Sequence, residues 1–116
     1  MSPALRPRQG DVWMVDLEPV AGHEQGRRRP CVVVSSDEYN RVMRGMAIVV
    51  PLTSRDRGLP HQVKVSSSAS GLGNVSFARP EDVRAVSHLR FGRRLGFASE
   101  LEMADIHGWL SDFLGM

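Results

Sequence analysis

The sequence predicts a mainly β protein of the α+β class, a small, partly open β-barrel with short helices and a C-terminal amphipathic helix. Three observations carry that prediction. Five to seven short segments rich in Val, Ile and aromatic residues are separated by Gly- and Pro-containing stretches. The one long segment with helical spacing comes last, after Ser99. The chain has 116 residues, enough for one domain and too few for two. Short strands in that number, with one covering helix, bury their apolar faces by curling the sheet.

Residues 1–9 read as a flexible basic tail carrying Arg6 and Arg8, and 10–116 as a single domain. The segment 10–17, GDVWMVDL, is a strand closed by Pro19, with Trp13, Val15 and Leu17 on one face and Val12, Met14 and Asp16 on the other. Residues 19–30, PVAGHEQGRRRP, have no periodicity and read as a loop; loops that long in a small domain are usually functional or disordered. CVVVS at 31–35 is a continuous apolar run suited to a strand buried on both faces. A short helix is predicted over 37–43, capped by Ser36 or Asp37 and ended by Gly45. MAIVVPL at 46–52 is a second buried strand, in which Pro51 predicts a bulge or an edge.

Residues 55–60 form a turn, and HQVKVS at 61–66 alternates as a half-exposed strand. The Ser/Gly stretch 66–74 reads as a flexible connection. Strands follow at 75–79 and 83–86, on either side of Pro80, and at 93–97. Ser99 and Glu102 match a capping box, in which the Ser hydroxyl takes a helix N–H and the Glu returns the bond. Met103, Ile106, Leu110, Phe113 and Leu114 then recur at helical spacing. Gly108 weakens that helix by up to about 1 kcal/mol relative to alanine.

Charged residues make up 24% and hydrophobic residues 41%, which excludes a disordered tail. No apolar run approaches the roughly 18 residues of a bilayer span, and none follows Arg6 and Arg8 as a signal peptide requires, so no membrane association is expected. Cys31 is the only cysteine, which excludes an internal disulfide framework and a cysteine-built zinc site. Inside its apolar run it reads as an inert buried thiol. A cytoplasmic protein is the expectation.

Of the 15 basic residues 14 are arginine, and all 15 lie in residues 1–98, against 9 acids. The last 18 residues hold Glu100, Glu102, Asp105 and Asp112 and no base. The arginine fork matches two phosphate oxygens at once, so a basic body permits a nucleic-acid partner. A GC-rich genome accounts for the same composition.

Two segments carry candidate chemistry. The run from His23 to Pro30 sets a carboxylate and an imidazole beside three guanidiniums, just before a buried strand. Pro51-Leu52-Thr53-Ser54-Arg55 puts hydroxyls and an arginine at the end of another. If those strands are neighbours, Arg29 and Thr53 lie at the same end or at opposite ends, depending on strand direction.

GDVWMVDLEPVAGHEQGRRRPCVVVSS followed by VVPLTSR resembles the MazF/PemK family of toxin endoribonucleases, with its GD-hydrophobic-Trp/Tyr opening, G-x-E-Q-G-x-x-R-P loop, Val-rich strand and P-[IVL]-T segment. The likeness runs from Gly10 to about Leu114. It implies an SH3-like barrel, a homodimer, cleavage of RNA without metal or cofactor, and neutralisation by a cognate MazE-like antitoxin. It places the catalytic arginine on Arg29, the threonine on Thr53 and the loop glutamate on Glu24, whose role is less uniform in the family.

Those residue types suit RNA self-cleavage, in which a deprotonated 2′-OH attacks the adjacent phosphate and expels the 5′-oxygen. The route needs a base, stabilisation of a phosphorane richer in negative charge, and a proton donor. Arg29 can hold two phosphate oxygens, and Thr53 can donate to the phosphate or orient the 2′-OH. Glu24 is the candidate base, although a free glutamate pKa near 4.3 is low and nearby arginines lower it further. His23, a departure from the small polar residue expected there, is the other candidate, since imidazole titrates near neutrality.

Arg27, Arg28, Gln25, Ser54, Arg55, Arg57, His61 and Arg84 are candidates to line an RNA groove; for each arginine a solvated surface position is the alternative. Trp13, Trp109, Phe77 and Phe91 read as core or interface rather than base-stacking platforms. Single-stranded RNA is the expected substrate, because base edges and the 2′-OH are accessible only when unpaired. An acidic antitoxin segment is expected to cover residues 22–29 and compete with RNA. Two other readings stand beside the nuclease: a CcdB-like inhibitor that binds DNA gyrase, and a family member that binds RNA without cutting it.

Overall fold

The computed structural model describes residues 6–18 and 27–116. Among these, seven strands and two helices run in the order β1 (Asp11–Asp16), β2 (Arg28–Val33), α1 (Asp37–Val42), β3 (Met46–Thr53), β4 (Val63–Val65), β5 (Ser76–Ala78), β6 (Arg84–Ser87), β7 (Phe91–Phe97) and α2 (Glu100–Leu114). Three 310 turns, at Ser68–Ser70, Pro80–Asp82 and His88–Arg90, join the later strands. All described strand pairs are antiparallel, in the order β4-β5-β3-β2-β1-β7, with β6 also on β3.

The predicted class is therefore the observed one, and β3 is its spine. One edge of β3 carries β2. The other is shared, with β6 along Met46–Val49 and β5 along Leu52–Thr53. Pro51 sits where the partner changes. Its carbonyl accepts the Arg79 N–H at 2.9 Å on that shared edge. The N–H and C=O of one strand residue point to the same side, so the donor that proline lacks falls in the gap between β6 and β5. Pro51 is thus paired opposite Cys31 inside the β2–β3 ladder, and not at the outer edge of the sheet.

The sheet buries a cluster on each face, as the alternation in β1 predicts. Trp13, Val15 and Leu17 pack with Cys31, Val33, Ala47, Val49 and Val86, and Phe91 meets Trp13 edge-on at 5.6 Å. Val12 lies on the other face with Val32, Val50 and Leu52, under Ile106 and Leu110 of α2. Trp13 is core, and its indole N–H donates to Asp11 at 3.1 Å. No described helix is long and apolar enough to cross a membrane.

Three expectations about boundaries need correction. Residues 7–9 belong to the domain: Pro7 is fully buried, Gln9 donates to the Val34 carbonyl at 3.1 Å, and the Gln9 N–H meets Asp37 at 2.8 Å. The strand predicted to open at Cys31 opens at Arg28, because β1 supplies backbone partners to Arg28, Arg29 and Pro30 that no local pattern announces. The stretch 66–74 contains the Ser68–Ser70 turn and is tied down at its start. Ser36 is the cap of α1, its hydroxyl accepting from the Tyr39 N–H.

The tie is Glu102. Its carboxylate completes the capping box with Ser99 and also accepts from the N–H groups of Ser66 (2.8 Å) and Ser67 (3.2 Å) and from the Ser67 hydroxyl (3.1 Å). Partial burial pushes this carboxyl up, but the bonds from Ser99, Ser66 and Ser67 outweigh it and hold it below its usual 4.5. The stabilisation is therefore complete above the unfolded value and is lost as pH falls through the lower folded value. Glu102→Gln is expected to cost about 1.5 kcal/mol at pH 7. Urea titrations of the two proteins should give that gap at neutrality and converge well below pH 4.5.

Candidate active site

Antiparallel pairing decides which residues meet. The β2–β3 ladder sets Cys31 opposite Pro51, Val32 opposite Val50 and Val33 opposite Val49. Continuing that register two residues past Cys31 brings Arg29 opposite Thr53, both on the face of Cys31 and Val49. The hydrogen bonds of Pro51 point away from β2, which makes Cys31–Pro51 a non-hydrogen-bonded pair. The Arg29 position shares that parity, and side chains of such pairs stand closest together. The same-end alternative is the one realised.

The ladder ends where Pro30 has no N–H to donate, and the site begins there. Arg29 and Thr53 are both half-exposed, at the end of the sheet where the strands leave the buried Trp13 cluster. The Thr53 hydroxyl oxygen accepts the Arg55 N–H at 3.2 Å, which uses a lone pair and leaves the hydroxyl proton to donate elsewhere. Gln62 organises the following turn, accepting the Arg57 N–H at 2.8 Å and donating to the Arg55 carbonyl at 3.1 Å. Ser54, Arg55 and Arg57 are exposed on it.

Arg27 and Arg28 are exposed on the adjoining strand entry, with Arg27 at φ 67° and its N–H on the Glu18 carboxylate at 3.0 Å. Arg84 reaches in from β6 and is half-buried. Its charge acts on the thiol of Cys31. Burial pushes that thiol up to about 12, against the opposing pull of Arg84 and then of Arg29. Cys31 is accordingly an inert, protonated neighbour.

Glu24, His23 and Gln25 lie outside the described residues. His61 does not join the group. It packs edge-on to Trp109 and Phe113 of α2, at 6.2 and 5.6 Å, and stands 3.5 Å from the Glu81 carboxylate. Trp109 packs against the Val12 cluster. Sequence reasoning missed Arg90 and Glu18, which hold the backbone at the end of β1. Arg90 donates to the Asp16 carbonyl at 3.4 Å and Glu18 accepts from Arg27. Neither contact has a local signature, since both depend on how the sheet closes.

The fold and the site together define a small β protein whose curled antiparallel sheet carries arginines and a hydroxyl at one end. A family model described as the PemK-like, MazF-like toxin of type II toxin–antitoxin systems matches residues 8–114, and the chain belongs to that family. It is 38% identical over 104 residues to the endoribonuclease MazF9 of Mycobacterium tuberculosis, across 85% of this chain and 88% of that protein. The crystal structure of MazF from Deinococcus radiodurans superposes with a TM-score of 0.85 at 32% identity, covering 95% of this chain and 97% of that one. A MazE–MazF crystal structure from the same organism matches with a TM-score of 0.76 at 33% identity, over 96% and 97% of the two chains.

Proposed function

We propose that this chain, an endoribonuclease toxin of a type II toxin–antitoxin system, cuts single-stranded RNA at selected sequences without a metal, through attack of the 2′-OH on the scissile phosphate. The observation that supports the reading is the antiparallel β2–β3 register, in which Arg29 stands two residues before Cys31 and Thr53 two residues after its partner Pro51, at the same end of the sheet. In this scheme the Arg29 fork binds two non-bridging oxygens, and its stabilisation grows as the phosphorane gathers charge. Thr53 donates its hydroxyl proton to the phosphate or orients the 2′-OH. Glu24 or His23 removes the 2′-OH proton, and a second group returns one to the departing 5′-oxygen.

Arg27, Arg28, Ser54, Arg55 and Arg57 extend the phosphate track from the same end of the sheet, and Gln25 contributes to RNA binding as well. Two copies of the chain flank one RNA groove in a homodimer acting in the cytoplasm. A cognate MazE-like antitoxin covers residues 22–29 with an acidic segment, because a groove for phosphate also attracts carboxylates. The matched MazE–MazF structure supports such a partner. Family membership favours this reading over a gyrase inhibitor, which has no use for a phosphate-binding pair.

Incubating the pure protein with one long transcript in EDTA, then mapping cut sites and end groups, tests the proposal. Discrete cuts that leave 2′,3′-cyclic phosphates are expected; RNA binding without cleavage, or neither, overturns it. Thr53→Ala is expected to slow single-turnover cleavage by about a hundredfold, the scale of one lost donor to a developing charge. Thr53→Ser should keep most of the rate, since it retains the hydroxyl.

A further inference from the structure

The ladder between β1 and β2 changes partners at its end. Leu17 donates its N–H to the Arg27 carbonyl at 2.9 Å. In a regular antiparallel pair the Arg27 N–H returns that bond to the Leu17 carbonyl. Here Arg27 is in the left-handed region, and its N–H goes to the Glu18 carboxylate instead. Leu17 is fully buried, so its carbonyl has little access to water. The bond is supplied from across the barrel, where the Arg84 guanidinium donates to the Leu17 carbonyl at 3.2 Å. One residue earlier, beyond the last β1–β7 pair at Val15–Phe91, Arg90 does the same for Asp16.

We propose that Arg84 is a positioning residue of the nuclease site and not primarily an RNA contact. Its guanidinium replaces the strand bond that Arg27 gives up. It thereby holds Leu17, through Leu17 the Arg27 carbonyl, and with them the strand entry that delivers Arg29. Arg84 reaches the carbonyl of Leu17, whose strand partner Arg27 stands two residues before Arg29, so the two guanidiniums belong to the same end of the barrel. The fixed carbonyl at Leu17 directs one of them inward and leaves phosphate binding to the other. This inference rests on Arg29 being the phosphate-binding group.

The test compares Arg84→Met and Arg84→Lys with the parent protein, by amide exchange at Leu17 without RNA and by steady-state cleavage of a short RNA. Arg84→Met is expected to speed Leu17 exchange by about tenfold or more, as local opening becomes easier. It should lower kcat by about tenfold with KM nearly unchanged, the pattern of a misplaced catalytic group. Arg84→Lys, which keeps a donor, should recover part of both effects and covers the case in which the methionine variant does not fold. Unchanged Leu17 exchange with a raised KM and a salt slope shallower by about 1 overturns the proposal and makes Arg84 a phosphate contact. The exchange readout needs no RNA, so a protein that proves not to cleave RNA would fail the nuclease reading separately.

Discussion

Arg29→Ala is expected to lower the single-turnover rate of RNA cleavage by about a thousandfold, with the melting temperature moved by only a few degrees. The size of the first effect follows from what the guanidinium faces in the proposed mechanism. The phosphorane carries one more negative charge than the ground-state phosphodiester, and a bidentate donor already in place meets that charge without reorganising. The small size of the second follows from the position of Arg29 at a strand entry, half-exposed, with the buried cluster beginning at Cys31. Arg29→Lys keeps the charge and loses the fork, so it should recover only a part of the rate. Rapid-quench cleavage with the melting curves of the same samples checks all of this; a purified alanine variant that still cuts would remove Arg29 from the mechanism.

The largest expected loss of stability comes from Gly96→Ala. Gly96 lies in β7, and a Cβ there would fall against the Ala69 carbonyl oxygen and within 2.6 Å of the Ser70 carbonyl carbon. These are backbone atoms of the Ser68–Ser70 turn, so no side chain can rotate away. The reciprocal contact is as close. Gly71, at φ 73°, presents the space its own Cβ would fill to the backbone of Leu95. The two glycines let the turn and β7 interlock, and a methyl on either must separate them. The expected cost of Gly96→Ala is about 3 kcal/mol or more. Gly108→Ala, with nothing within 4 Å of the added carbon, should instead stabilise α2 by up to about 1 kcal/mol. Denaturant titration of both variants against the parent separates a packing effect from a general intolerance of substitution.

The elements most legible in the sequence are those whose signals are local. The alternation of β1 assigned Trp13 and Val12 to opposite faces, and the Ser99–Glu102 spacing located the start of α2 to the residue. Less legible is whatever depends on a partner far along the chain. Arg28, Arg29 and Pro30 look like loop because two are charged and one cannot donate; they are strand because β1 lies beside them. Ser66 and Ser67 read as linker because the carboxylate that fixes them is Glu102, on the last helix.

The candidate site divides the same way. Arg29 and Thr53 are candidates by the motif in which they stand, while their position at one end of the sheet depends on the β2–β3 register, which the pattern of either strand leaves undetermined. His61 carries no mark of its face, and the structure packs it against Trp109 and Phe113 of α2. The grip of Arg84 on Leu17 spans most of the chain and leaves no trace in spacing.

The first strand is also paired with the last, Asp11 meeting Phe97. A ribosome releases the chain from its amino end, so β1 must wait for almost every later residue before that seam can form. Contacts so distant along the chain slow folding, because a long loop must close before they form. The outer edge of β1 is thus covered only after β7 has been made.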